Sequence, residues 1–319
     1  MAKQKKIFTK TELQTLTSEE IIERIKYKNY SLLDSFSAEK LRKEMVPVGK
    51  ACNIAANYFL KSTGVKNTEK HNQAARRKLV KILKKLAPGE YNNIPIDNKN
   101  GLIIGFNHPS LGEILRLLLM KLDVMGDKPM YFPVNLPWYE ALAPNFDKIK
   151  RLNIIITPLI TPSTWKKLEL KEGTVLYEAG SRIKRDFRDI YTDLSRKAMK
   201  EGGVIFVAPS ATRQATVFKT EEEYLGEVEP IPTMSMLAKK LYEDPEVNCD
   251  FLPLAVLPPE KYKRGLNFYK KYKLIPGEIM TAEEIKKKYF KEKSPERLEG
   301  FERDFLQRIA EKLPKSFWY

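Results

Sequence analysis

Short apolar segments alternate with helical segments from about residue 100 onward, and this alternation constrains the fold more than any other feature. The apolar segments are rich in β-branched or aromatic residues, which is typical of buried strands. They are Leu102–Phe106, Met130–Val134, Asn153–Thr157, Thr174–Tyr177, Val204–Ala208 and Phe251–Leu257. The predicted helices are Leu111–Leu122, Phe187–Glu201, Met234–Tyr242 and Pro295–Leu313. This order predicts an α/β fold, with a central mixed sheet covered by helices.

The residues before this region have a mostly helical pattern. A capping box predicts one helix start, because Thr17 and Glu20 are spaced so that each side chain can accept a hydrogen bond from the other's backbone N–H. Ser37 is a second plausible start, although the acidic residue three positions later is missing. We therefore expect an N-terminal helical bundle.

Between Thr68 and Leu86, apolar residues recur at helical spacing among many lysines and arginines, which predicts one apolar stripe on a basic helix. Such a helix suits two situations. It can dock on an anionic membrane, or it can pack in the bundle with its lysines in water. Pro88-Gly89 ends the region. We expect an N-terminal helical region over residues 1–88 and an α/β domain over residues 89–319.

The charge balance narrows the class of partner. Lys and Arg total 57 against 41 Asp and Glu, a formal net charge of +16. Such a surplus favours anionic partners: nucleic acid, anionic lipid, phosphorylated substrates or an acidic carrier protein. The chain has no zinc-finger, RNP or helix-turn-helix signature, so nucleic acid is not the expected partner.

The number of cysteines and the lengths of the apolar runs indicate the cellular compartment. Cys52 and Cys249 lie far apart, and nothing resembles a disulfide framework or a zinc site. No apolar stretch follows the basic N-terminus, so no signal peptide is expected. The best candidate for a membrane span, Ile114–Met120, contains Arg116 and is far shorter than the roughly 18 residues required. We expect a cytoplasmic protein, with a peripheral position on the inner face of the membrane left open.

His108 is the candidate catalytic base. It closely follows the predicted strand Leu102–Phe106 and precedes a predicted helix, and α/β proteins place reactive groups at such strand ends. Glu113 follows five residues later. A neutral imidazole can take a proton from an alcohol, and a carboxylate on its other nitrogen orients the ring. With 41 acidic residues among 319, about one histidine in eight has such a neighbour by chance.

A second loop strengthens the assignment. Gly202-Gly203 leads into the strand Val204–Ala208, and the segment Pro209–Gln214 follows. A loop of small residues exposes backbone N–H groups, and Arg213 can bind phosphate oxygens in a bidentate way. An ordinary turn with a surface arginine is the alternative.

Together the two segments resemble the glycerolipid acyltransferase family, which carries an Asn-His-x4-Asp block and a later Pro-Glu-Gly-Thr-Arg block. Here the blocks are Asn107-His108-x4-Glu113 and Ala208–Arg213. Phe251–Val256 looks like the family's late strand block, and Tyr131–Val134 is a poorer match to its second block. The resemblance covers roughly residues 100–260.

Two departures refine the resemblance. Glu113 stands where the family has Asp, and Ser210 stands where it has Glu. An Ala-Pro-Ser sequence at this strand end looks like the soluble chloroplast-type glycerol-3-phosphate acyltransferases, which have an N-terminal helical bundle. That branch carries a second arginine two residues after the first, and here this position is Ala215.

The resemblance implies transfer of a fatty acyl group from acyl-carrier protein or coenzyme A to glycerol 3-phosphate, without metal, cofactor or covalent intermediate. His108 would be the general base and Glu113 its orienting carboxylate. Phosphate binding would fall to Arg213, Thr212, Arg182 and Lys184, with Asn107 and Ser210 in support. Lysophosphatidic acid (1-acylglycerol 3-phosphate) is the alternative acceptor. A non-catalytic basic protein that binds lipid or nucleic acid is the alternative of another class.

Overall fold

The computed structural model describes residues 5–36, 38, 68–86, 89–91, 94, 100–108, 112–209, 233–259, 271–291 and 295–314. Several predicted features lie outside these ranges, namely the helix start at Ser37 and the loop residues Ser210, Thr212 and Arg213. The chain groups into two compact units. One comprises residues 1–75 and 132–194, and the other comprises residues 76–131 and 195–319.

Seven strands form a mixed sheet in the order β3-β9-β8-β4-β7-β5-β6. Their bounds are β3 Gly89–Glu90, β4 Gly101–Phe106, β5 Met130–Asn135, β6 Ile154–Leu159, β7 Val204–Val207, β8 Cys249–Leu257 and β9 Tyr272–Pro276. Strand β4 pairs in parallel with both β7 and β8, whereas β8 and β9 are antiparallel. The predicted α/β class with a central mixed sheet is therefore confirmed.

Helices flank the sheet and form most of the remaining described chain. They are α1 Lys10–Thr15, α2 Ser18–Tyr27, α3 Leu32–Ser35, α4 Glu69–Leu86, α5 Gly112–Val124, α6 Leu136–Leu142, α7 Phe146–Lys150, α8 Pro162–Lys167, α9 Val175–Lys200, α10 Thr233–Tyr242, α11 Ala282–Ile285 and α12 Pro295–Ala310. Within the described ranges, no helix is both long and apolar enough to cross a membrane.

Helix α2 begins as the sequence predicts. The backbone N–H of Thr17 donates to Glu20 at 2.8 Å, and the N–H of Glu20 donates to the Thr17 hydroxyl at 3.2 Å. This reciprocal pair satisfies two N–H groups that the first helical turn leaves without intrahelical partners. Two short strands, β1 (Lys6–Ile7) and β2 (Tyr30–Ser31), were not predicted and pair in parallel beside these helices.

The N-terminal helices share a hydrophobic core with α6 and α9 of the same unit. Ile21 and Leu32 are buried in one cluster with Tyr139 and Ile183. Glu140 of α6 is hydrogen-bonded to the start of α3. Its carboxylate accepts hydrogen bonds from the Ser31 hydroxyl and from the backbone N–H groups of Leu32 and Leu33 at 2.6–3.0 Å. Residues 39–67 lie outside the described ranges, so the N-terminal bundle and the boundary near residue 88 stay predictions.

The basic helix predicted between residues 68 and 86 is confirmed as α4. Ala75 and Leu83 are buried on its apolar stripe, and most of its lysines are exposed. Arg76 is buried and pairs with Asp127 at 2.8 Å, while Lys84 pairs with Asp123 at 2.7 Å. Docking of this helix on a membrane stays a prediction.

The predicted strand at Thr174–Tyr177 is wrong, because these residues begin the long helix α9. Their β-branched and aromatic side chains suggested a strand, but Thr174 acts as a helix cap. Its carbonyl accepts from the N–H of Glu178 at 3.0 Å, and its hydroxyl accepts from the N–H of Tyr177 at 3.3 Å. Local capping outweighs strand propensity here.

Helix α9 ends at Lys200, and Gly202 beyond it allows the chain to turn into β7. Gly202 has a positive φ of 67°, a conformation that residues with a Cβ atom adopt at a cost. The N–H of Gly203 donates to the carbonyl of Ala198 at 2.8 Å, and that of Gly202 to Met199 at 3.2 Å. These bonds satisfy carbonyls of the last helical turn.

We expect the Glu302→Gln variant to be more stable than the wild type above pH 7. Glu302 of α12 accepts a hydrogen bond from the N–H of Ser235 at 2.8 Å, at the start of α10. Burial raises the pKa of Glu302 from 4.5 to about 7, although that hydrogen bond opposes the shift. The folded protein therefore binds this proton more tightly than the unfolded chain does. The resulting stability is present below pH 4.5 and lost as pH rises towards 7.

Glutamine keeps a neutral hydrogen-bond acceptor at this position and does not ionise. The variant therefore does not lose stability as pH rises through 7. The gain at pH 8 should reach about 3 kcal/mol, since one pKa unit corresponds to about 1.4 kcal/mol. Urea unfolding at pH 4.5 and at pH 8 measures it. A difference between variant and wild type that is equal at both pH values would contradict the prediction.

Candidate active site

The candidate site lies where two neighbouring strands end. Strands β4 and β7 are adjacent and parallel, with Gly105 aligned to Val207. Asn107 and Pro209 each lie two residues beyond this aligned pair, so the two segments singled out in the sequence leave the sheet at the same edge. All six residues of β4 are buried, which fixes the strand that carries the site. The C-terminal edge of parallel strands is the usual position of α/β active sites.

Asn107 anchors the segment that follows β4. Its amide nitrogen donates to the carbonyl of Val256 at 2.9 Å, and its amide oxygen accepts from the N–H of Val256 at 2.6 Å. The side chain thus forms the same pair of hydrogen bonds with β8 that a backbone residue would form, at the point where the pairing of β4 with β8 ends. Asn107 is buried, so both bonds are shielded from water. The predicted supporting role of Asn107 has a physical basis in this anchor.

His108 and Glu113 are in contact. Nδ1 of His108 is hydrogen-bonded to Oε1 of Glu113, which lies in the first turn of α5. The Glu113 side chain is fully buried, and that of His108 is 16% exposed. With Nδ1 occupied, Nε2 is the ring nitrogen left to exchange protons with a reactant. Fixing one nitrogen to a carboxylate is how an imidazole is prepared as a general base.

The sequence spacing alone did not predict this contact with any specificity. A separation of five residues is compatible with many geometries, and a chance neighbour was a real alternative. The structure shows a buried carboxylate on the imidazole at a strand end. The roles of His108 as base and Glu113 as orienting group remain predictions about chemistry.

A buried arginine, Arg116, lies one turn after Glu113 in α5. Arg116 is fully buried, and its guanidinium lies over the ring of Tyr272 at 4.5 Å from the ring centroid. Burial lowers the pKa of Arg116, and electrostatic interactions with Tyr272 and Glu113 oppose that shift. The signal in the sequence was a charged residue inside the apolar run Ile114–Met120.

The two predicted phosphate ligands on α9 have other contacts. The guanidinium of Arg182 donates to the backbone carbonyls of Leu13 at 2.6 Å and Leu16 at 3.1 Å. The ammonium of Lys184 lies 5.1 Å from the ring centroid of Trp165. Both residues belong to the unit formed by residues 1–75 and 132–194, whereas His108 and Glu113 belong to the other. Their part in phosphate binding stays a prediction.

The second predicted loop is described only at its beginning. The carbonyl of Pro209 accepts a hydrogen bond from the Thr233 hydroxyl at 2.7 Å, which joins the end of β7 to the start of α10. Ser210, Thr212 and Arg213 lie outside the described residues, so their proposed contacts rest on the sequence.

Comparison with solved structures finds proteins of similar structure. No family model and no curated protein matches the chain. The crystal structure of the 1-acyl-sn-glycerophosphate (LPA) acyltransferase PlsC from Thermotoga maritima is similar to this chain, with a TM-score of 0.39 and 15% sequence identity. The likeness covers 86% of this chain and 97% of that chain. The residues at the ends of β4 and β7 therefore carry the functional proposal.

Proposed function

We propose that this chain is a glycerolipid acyltransferase that moves a fatty acyl group from an acyl thioester to a hydroxyl of glycerol 3-phosphate. The observation that carries the proposal is the hydrogen bond between Nδ1 of His108 and the buried carboxylate of Glu113. The motif resemblance at Asn107–Glu113 and Ala208–Arg213 supplies the substrate class. The donor is acyl-carrier protein or coenzyme A, both anionic, which suits a chain of net charge +16.

The reaction needs only one general base. Nε2 of His108 takes the proton of the acceptor hydroxyl while that oxygen attacks the thioester carbonyl carbon. The carbonyl oxygen becomes negative in a tetrahedral intermediate. The carbon–sulfur bond then breaks, the carbonyl re-forms as an ester, and the leaving thiolate takes the proton from Nε2. The products are one ester and one free thiol.

Glu113 contributes by its charge and by its position. Its carboxylate accepts a hydrogen bond from the Nδ1–H group, so the lone pair of the neutral ring is on Nε2. When Nε2 becomes protonated, the negative charge of Glu113 stabilises the imidazolium. Burial strengthens this interaction, because water does not screen it.

The acceptor phosphate is assigned to cationic and polar side chains. Arg213 is the principal ligand, since a guanidinium can form two parallel hydrogen bonds to phosphate oxygens. Thr212 and backbone N–H groups near Ser210 assist it. Arg182 and Lys184 are assigned to the same role from the resemblance.

A thiol-release screen tests the proposal. Purified protein is mixed with acyl-carrier-protein or coenzyme A thioesters and with glycerol 3-phosphate or lysophosphatidic acid, and esters are identified by mass spectrometry. We expect release that depends on glycerol 3-phosphate. Release only with lysophosphatidic acid would reassign the acceptor. No release with any pair would overturn the proposed reaction.

We expect Arg213→Ala to raise KM for glycerol 3-phosphate about 10- to 100-fold, because charged hydrogen bonds contribute roughly 1.5–3 kcal/mol. KM for the thioester should change little. Arg188→Ala is the matched control, since Arg188 is an exposed arginine of α9 whose removal changes the net charge equally. Steady-state kinetics with each substrate varied in turn measures the two KM values. Equal changes in both KM values would remove Arg213 from the phosphate site.

A further inference from the structure

Helix α5 buries a charge that the proposed reaction does not use directly. Its inward side is formed by Glu113, Arg116, Leu117 and Met120, which are spaced so that they share one face. An arginine that is fully buried is strongly unfavourable unless its charge is compensated. If the side chain at this position only filled space in the core, leucine or methionine would do so without a buried charge. The arginine at this position therefore calls for a specific partner.

The surrounding strands are shaped to hold this side chain. The guanidinium lies on the face of Tyr272, 4.5 Å from its centroid, and Tyr272 is itself fully buried in β9. Gly89 of β3 is aligned with Tyr272 in the sheet. A Cβ atom at Gly89 would lie 3.0 Å from Cγ of Arg116, so the absence of a side chain there leaves room for the arginine stem. A cation on an aromatic face is held in one orientation.

Glu113 is the charge partner available on the helix itself. It precedes Arg116 by three residues, a spacing that brings side chains together on a helix surface, and both are fully buried. The charge of Glu113 partly opposes the effect of burial on the pKa of Arg116. Coulombic attraction is mutual, so the guanidinium of Arg116 also attracts the carboxylate of Glu113.

We propose that Arg116 is a positioning residue, whose buried guanidinium holds Glu113 as an oriented carboxylate against Nδ1 of His108. This inference rests on the proposed function, because it assigns Arg116 a task within the same reaction. Arg116 lies on the ring of Tyr272 and interacts electrostatically with Glu113, which is hydrogen-bonded to His108. Arg116 touches no reacting atom. It acts by fixing the group that orients the base.

Two substitutions separate charge from volume. Arg116→Met fills similar space without charge, and replacing a buried charge by an apolar side chain is often tolerated by the fold. Arg116→Lys keeps the charge. We expect kcat to fall at least tenfold in Arg116→Met, with both KM values within about twofold of wild type, and to be largely retained in Arg116→Lys. Equal losses in the two variants, or a loss confined to KM, would overturn the proposal.

A second readout does not require turnover. The chain has only two histidines, so an NMR spectrum contains few imidazole N–H resonances. In His71→Gln, the resonances that remain belong to His108. The Nδ1 proton of His108, bonded to a carboxylate, is expected far downfield. We expect the His108 resonance to move upfield or broaden in Arg116→Met and to remain in Arg116→Lys.

An unchanged His108 resonance in folded Arg116→Met would overturn the positioning role. If that variant does not fold, Tyr272→Leu replaces it, because it removes the aromatic support and leaves the charge. The resonance should then shift in the same direction, and an unchanged resonance would again overturn the proposal. Failure of the proposed reaction is seen separately, as absence of thiol release by the wild type.

Discussion

Replacing His108 with alanine is expected to lower kcat for thiol release about 10³-fold, within the range for loss of a general base. The variant lacks the group that takes the proton of the attacking hydroxyl and returns it to the leaving thiolate. KM values should stay close to wild type, because His108 is assigned to proton transfer rather than to substrate binding. Initial rates at saturating concentrations of both substrates measure the effect.

His71→Ala is the matched control for this experiment. It removes the other histidine, on α4, and should leave kcat within about twofold of wild type. Circular dichroism and a thermal melt establish that His108→Ala remains folded, since its side chain is partly exposed and does not belong to the apolar core. A folded His108→Ala with a kcat near wild type would exclude the general-base role.

Glu113→Gln is expected to lower kcat about 100-fold or more while leaving KM for both substrates nearly unchanged. The amide keeps the length and shape of the side chain but lacks the negative charge that stabilises the imidazolium. It can also present its NH2 group to Nδ1, which would favour the wrong tautomer. The main effect therefore falls on the transition state.

Glu113→Asp distinguishes charge from geometry. It restores the residue that the resembled family carries, but its side chain is shorter by one methylene. We expect intermediate activity, below wild type and above Glu113→Gln. Steady-state kinetics of the three proteins under one condition provides the test. An amide variant as active as the aspartate variant would show that the charge at this position is not needed.

The sheet could be predicted from the sequence where strands are buried on both faces. Strands β4 and β7, and β8 from Phe251 onward, are continuous apolar runs, and such runs are typical of central parallel strands. Strand β9 was missed because its alternating burial, with Lys273 exposed, makes a short and weak pattern. The segment at Thr174 was misassigned because capping depends on the hydroxyl's local geometry, which composition does not reveal.

The site could be predicted in part. Residue types and spacing were enough to select His108, Glu113 and Asn107, because the resemblance singles out that block. The contact between β4 and β7 and the role of Asn107 in pairing with Val256 needed the structure, since both depend on residues distant in sequence. Arg116 could be noticed as a charge in an apolar helix, but its partners Tyr272 and Gly89 come from other strands.

The most direct test of the central claim compares thiol release with ester formation by the purified wild-type protein. Glycerol 3-phosphate and an acyl thioester are incubated with the enzyme, and free thiol and acylated glycerol phosphate are quantified together. Direct transfer predicts one ester per thiol, with no thiol released when the acceptor is omitted. Thiol release that continues without acceptor, or ester formation that persists undiminished in His108→Ala, would contradict the account.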